Sequence, residues 1–126
     1  MAIPSGSGTE VLRRGVVATQ SSTATTFRFD GTNPTTGQST YAVPANHIIT
    51  ILCFTICEAA GNAETISMWI NDGAKDIEIL QSLALGARET FVWNDKFSLI
   101  GGDKLKLTST AGDVDIYYSY LDQDWS

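Results

Sequence analysis

Chemistry in this 126-residue chain would have to pass through its one histidine, His47. It stands just after Pro44, at the head of the run His47-Ile-Ile-Thr-Ile-Leu-Cys-Phe-Thr-Ile-Cys57. Nucleophilic catalysis needs a Ser or Cys beside a base that a carboxylate orients. No Gly-x-Ser-x-Gly elbow occurs, and neither Cys53 nor Cys57 has a catalytic motif around it. A histidine at the start of a strand more often serves as a hydrogen-bonding group at a surface or interface. The residues therefore predict a protein that is not an enzyme, with no catalytic group.

The two cysteines lie four residues apart on one face of an extended strand. Their Cα atoms would then be roughly 13 Å apart, beyond the ~7 Å limit for a disulfide. Free, buried thiols are the first expectation, with pairing between subunits or a metal as the lesser alternatives. No Cys-x-x-Cys and no histidine partner supports a metal, and reduced thiols fit synthesis in a cytoplasm. Asp72, Asp76, Glu78, Asp95, Asp103, Asp113, Asp115, Asp122 and Asp124 lack the spacing of a calcium loop. Most fall in turns, where side-chain to backbone bonding explains them. No metal or cofactor is expected.

Trp69, Trp93, Trp125, Tyr117, Tyr118 and Tyr120 raise a sugar-stacking alternative. Core and subunit-interface positions explain such residues equally well, and their alternating placement on strands favours that reading.

Positioning any of these groups falls to a β-rich chain. Charged residues make up 17% and hydrophobic residues 43% of the sequence, with a formal charge of −6. An acidic chain with scattered Lys and Arg is a poor match for nucleic acid, which selects a basic face. No run approaches the ~20 apolar residues of a membrane span. The N-terminus lacks the regions of a signal peptide, so the expectation is a soluble protein that is not exported by the usual route.

Residues 1–9, small and nearly uncharged, read as a flexible or docking arm, and 10–126 as one domain. Alternating stretches fall at 10–19, 26–29, 48–57, 64–71, 75–80, 88–94, 97–100, 104–110 and 114–121. Turn signals such as Asp30-Gly31, Asn71-Asp72-Gly73 and Gly101-Gly102-Asp103 separate them. Gly15 reads as a bulge or bend, 82–86 as a loop and 122–126 as an acidic tail. About eight short strands and no amphipathic helix predict an antiparallel β-sandwich, jelly-roll-like.

The run 48–57 is the centre of that pattern. Read with period two, Ile48, Thr50, Leu52, Phe54 and Ile56 share one face, and Ile49, Ile51, Cys53, Thr55 and Cys57 the other. A strand covered on one side only should alternate apolar with polar. Both faces here call for cover, so the pattern predicts assembly. It nominates Ile49, Ile51, Cys53 and Tyr118 for a subunit interface.

The stretches Thr40-Tyr-Ala-Val-Pro-Ala-Asn-His-Ile-Ile, Glu64-Thr-Ile-Ser-Met-Trp-Ile-Asn-Asp-Gly, Phe91-Val-Trp-Asn-Asp-Lys-Phe-Ser-Leu, Gly101-Gly-Asp-Lys-Leu-Lys-Leu and Asp115-Ile-Tyr-Tyr-Ser-Tyr-Leu-Asp resemble small virion proteins of tailed phages. The opening Met-Ala-Ile-Pro-Ser-Gly-Ser-Gly-Thr-Glu is similar to small structural proteins of phages of aquatic bacteria, including cyanobacteria. The resemblance implies a capsid decoration, or cement, protein: a homotrimer on the outer capsid surface that clamps adjacent major capsid subunits. It also leaves room for a tail, neck or fibre module, and host-glycan binding is a rival of another class. It transfers no binding residue. Ile3, Pro4, Arg13 and Arg14 are nominated for shell contact from their position alone.

Overall fold

The structure is a computed structural model and describes residues 9–20, 22–110 and 112–125. The arm nominated for docking, with Ile3 and Pro4, lies outside the described residues. Nine strands follow in order: β1 (Thr9–Gln20), β2 (Thr25–Thr26), β3 (His47–Glu58), β4 (Glu64–Asn71), β5 (Asp76–Leu85), β6 (Thr90–Trp93), β7 (Phe97–Ile100), β8 (Lys104–Ser109) and β9 (Val114–Asp124). Among the described residues there is no helix.

The strands form two antiparallel sheets. One runs β1-β9-β3-β6, with β7 also on β3, and the other β2-β8-β4-β5. The chain is thus an all-β sandwich. Its pairings nest, β1 with β9, β2 with β8, β3 with β6 and β7, β4 with β5.

The predicted two-sided apolar strand is resolved inside the molecule. The register of β3 against β9 shifts between Ile51 and Cys53, so one residue too many is accommodated at Leu52. A bulge of this kind swaps which parity faces inward. Ile49 and Ile51 point into the core before it, and Phe54 and Ile56 after it, all fully buried. The facing edge breaks at the same level: β7 pairs with Ile48–Ile51 and β6 with Phe54–Cys57.

Three of the four residues nominated for subunit packing are therefore core residues. Ile49, Ile51 and Tyr118 have no exposed surface. Cys53 alone points outward, half-buried. Tyr118 is held because its ring sits among Phe27, Phe54 and Phe29 at 5.0 to 5.8 Å between centroids. Its hydroxyl donates to the Arg28 carbonyl at 2.7 Å. Tyr120 completes the pattern by accepting from the Gly31 amide at 3.0 Å. Burial raises the pKa of both phenols, and most strongly that of Tyr118. Tyr118 and Tyr120 thus each find a backbone partner for the polar end of a buried ring.

Gly15 is not the bulge its type predicts. It pairs in register with Tyr118, and a Cβ there would lie 2.3 Å from the tyrosine ring. The glycine makes room for the aromatic, and the irregularity of β1 falls between Val17 and Gln20 instead. Two strands also run beyond their predicted ends. β5 passes through 82–85 by a register shift opposite Ile66–Met68. β9 continues to Asp124, so the supposed tail residue Asp122 is a buried ladder position.

At the far end of β3, Glu58 is buried and closes two loops. Its carboxylate accepts from the amides of Ala60 (2.8 Å), Gly61 (2.8 Å), Asn62 (3.2 Å) and Arg88 (2.9 Å). The Arg88 amide above all, with the other three, holds this carboxyl below its ordinary 4.5 despite the opposing cost of desolvation. Asp30 behaves alike. Burial works to raise it, but bonds from Arg28 and Thr32 bring it down to about 2 from 3.8.

Two outcomes are expected. Gly15→Ala should destabilise the fold by about 1–3 kcal/mol, the range for an overpacked core, read as a lowered denaturant midpoint. For Glu58 the folded pKa is depressed, so its contribution is present above about pH 4.5 and lost as pH falls further. Glu58→Gln should therefore lower the melting temperature at pH 7, and the gap to wild type should close in melts taken down to pH 3. A gap that does not narrow would count against the amide cradle.

Candidate functional site on the outer sheet face

A cluster around His47 is the first place to look for chemistry. His47 Nδ1 lies 2.8 Å from Asp122 Oδ1, and Nε2 lies 3.7 Å from Asp124 Oδ2. Arg13 Nε approaches Asp122 Oδ2 at 3.5 Å, too long for a good hydrogen bond. The group joins β1, β3 and β9 at one end of the sheet, with Asp122 at its buried centre. Among the described residues no Ser, Thr or Cys side chain hydrogen-bonds to His47, so it has an orienting acid without a nucleophile. Its visible role is structural: Asp122 ties β1 and β3 to β9 through Arg13 and His47. Arg13, nominated for shell contact, is partly engaged here.

Beside it lies a concavity of about 510 Å³ lined by Val43, Ala45, Asn46, His47, Gly101, Gly102 and Trp125. The Trp125 indole N–H is buried without a partner, although its backbone amide bonds Asn46. The three tryptophans do not gather. Trp69 is on β4, Trp93 on β6 packs edge-on to Phe97 at 6.2 Å, and Trp125 follows β9. No ring contact joins any two of them among the described residues. No group of three or more His, Cys, Asp or Glu that could hold a metal exists among the described residues.

The larger feature is the outer face of the five-stranded sheet. Cross-strand partners share a face, so the register builds it row by row. Leu12, Leu121, Thr50 and Ser98 form one row; Val16, Tyr117, Thr55 and Val92 form another. Glu10, Gln123, Ile48 and Ile100 form a third, and Arg14, Ser119 and Cys53 lie between. Leu12 is 69% exposed, Val92 50%, Tyr117 42% and Ile100 39%. Among the described residues, the Asp, Glu, Lys and Arg side chains on these rows are Glu10 and Arg14 on β1, and Asp115 lies one row further, opposite Cys57. A shallow concavity of about 420 Å³ opens there between Leu12, Arg13, Arg14, Leu52, Tyr117 and Ser119.

The bulge residue Leu52 and both free thiols, Cys53 and Cys57, are half-buried on this face. Of the residues singled out from the sequence, Cys53, Arg14 and Tyr117 lie on this face, whereas Leu12, Val92 and Ile100 are not among them. Leu12, Val92, Tyr117 and Ile100 come from four different strands, and only the assembled register brings them onto one face.

No family model matches the chain, and no curated protein matches it. Among solved structures, it is similar to one described as "Bacillus endospore appendages form a novel family of disulfide-linked pili". The likeness has a TM-score of 0.51 and 12% identity, and covers 100% of this chain and 97% of that one. At that identity the likeness concerns the sandwich fold alone.

Because the outer face is not core, charges should be tolerated there. Val92→Lys is expected to shift stability by no more than about 0.5 kcal/mol, whereas Ile51→Asp, on the same sheet but facing the core, should prevent folding. Circular dichroism melts of the two variants read the difference.

Proposed function

We propose that this protein is a non-catalytic structural subunit, and that its role is that of a phage capsid decoration protein. In this reading it is made in the host cytoplasm and sits on the outer capsid surface, holding adjacent major capsid subunits. The observation that carries the proposal is the outer face of the five-stranded sheet, which presents Leu12, Val92, Tyr117 and Ile100 with few charges between them. Several large apolar side chains exposed together on one face of a small protein suit a contact surface. Arg14 at its margin supplies a cation within an otherwise acidic molecule. The phage resemblance of the sequence supplies the identity of the partner. Many copies on a shell would act together, so modest contacts suffice.

The test is binding of the purified protein to expanded, undecorated tailed-phage shells, imaged by electron microscopy. Regular occupancy of the outer surface is expected, and Tyr117→Glu should abolish it while leaving the circular dichroism spectrum unchanged. Absence of ordered density on shells, or occupancy by the Tyr117 variant, would overturn the reading.

A fibre or tail module is the second reading, favoured by one observation. Cys53 and Cys57 are free and lie on the outward face, and the structurally similar pili are described as disulfide-linked. Covalent multimers on a non-reducing gel that disappear in Cys53→Ser would support it.

A further inference from the structure

The two outermost long strands of the sandwich are built differently. β5 shifts register twice against β4, between Ile66 and Met68 and between Met68 and Trp69. It turns through Ser82 at φ 52° and carries exposed Asp76 and Glu78. Bulges and charges are how a sheet edge avoids further pairing. β1 has no bulge in its first half. Its register against β9 runs unbroken from Thr9 to Val17, with no proline.

The direction of its free groups follows from parity. The Val16 amide donates to Asn33 Oδ1 at 3.2 Å, so it points away from β9. In a regular antiparallel strand alternate residues turn both N–H and C=O to the same side. Glu10, Leu12 and Arg14 therefore also turn theirs outward. The neighbour agrees: the Trp125 amide donates to Asn46 O at 3.1 Å, so odd residues of β9 bond toward β3 and even ones toward β1. Among the described residues nothing hydrogen-bonds the outward groups of Glu10, Leu12 and Arg14, while those of Val16 and Ala18 are met by Asn33 and Thr36.

We propose that a second copy of this chain pairs with this edge, antiparallel and symmetric about Leu12. That register sets Leu12 opposite Leu12 of the second copy, and Glu10 opposite Arg14 of the second copy, twice over. All three are hydrogen-bonded pairs, and among the described residues they use every open residue of the edge and none that is already bonded. Opposite charges directly across a strand pair stabilise it, and like charges do the reverse. Centring the pair on Glu10 or on Arg14 would face like charges at the axis. Centring it on Arg13 would need the Val16 amide that Asn33 holds. The 69% exposure of Leu12 is then explained by its place on the axis. An isologous contact closes at two copies, so this pairing replaces the homotrimer implied by the resemblance. It does not rest on shell binding, since it is read in solution without shells.

Sedimentation equilibrium should give twice the chain mass at micromolar concentration. Glu10→Arg alone should weaken the dimer by about tenfold or more, and Glu10→Arg with Arg14→Glu should restore it, an outcome a merely structural role would not produce. Leu12→Pro removes an amide the chain itself does not use, so it should yield a folded monomer. A wild-type monomer at about 100 µM, a trimer, or a charge swap that fails to restore association would each overturn the proposal.

Discussion

The fold depends on one extra residue in one strand. β3 spans the whole five-stranded sheet, with Ile49 and Ile51 on one parity and Phe54 and Ile56 on the other. In an unbroken strand one of these pairs would face away from the core, because a side chain's face is fixed by its parity. The bulge at Leu52 lets both face inward. Full burial of an Ile or Phe side chain contributes about 1.5–3 kcal/mol, so the two pairs outweigh the interrupted ladder. The rest is arranged around that point. The facing edge is divided into β6 and β7 at the same level, and Tyr118 stacks on Phe54 just beyond it at 5.5 Å.

With the core satisfied this way, the apolar surplus moves elsewhere rather than vanishing. The outward parity of the sheet still carries Leu12, Tyr117, Val92 and Ile100, contributed singly by four strands. Polar capping is concentrated at the sheet's ends, where Glu58 gathers four amides and Asp122 gathers Arg13 and His47. The ends are therefore fixed by hydrogen bonds and ion pairs, while the middle of the outer face is left without charge.

The fold class was legible because alternation and turn residues are local. Ile66, Met68, Ile116 and Tyr120 point inward as their spacing predicts, and Asn71-Asp72-Gly73 turns where its chemistry says it should. What stayed hidden depends on long-range register. Nothing in the run from Ile48 to Cys57 marks Leu52 as the bulge, so Ile49, Ile51 and Tyr118 were nominated for an interface they cannot reach. Gly15 reads as a bend because the residue it accommodates, Tyr118, is over a hundred positions away. Asp122 looks like a tail because the strand that continues through it is stabilised by His47 and Arg13 from other elements. The proposed contacts rest on Leu12 and Tyr117, not on the central strand.

Edge and face meet at Leu12, which gives the two surfaces a common logic. Its backbone belongs to the open margin of β1 and its side chain to the outer face. The concavity between Leu12, Leu52 and Tyr117 begins at that margin. Two copies joined along β1 would continue one sheet into the next, so their outer faces would form a single surface twice as wide. A contact too small to hold one subunit would then be presented twice from a rigid pair, where effective concentration strengthens it without any new interaction. The bulged and charged β5 cannot extend the opposite sheet in the same way. Growth would be confined to the one sheet whose outer face is apolar.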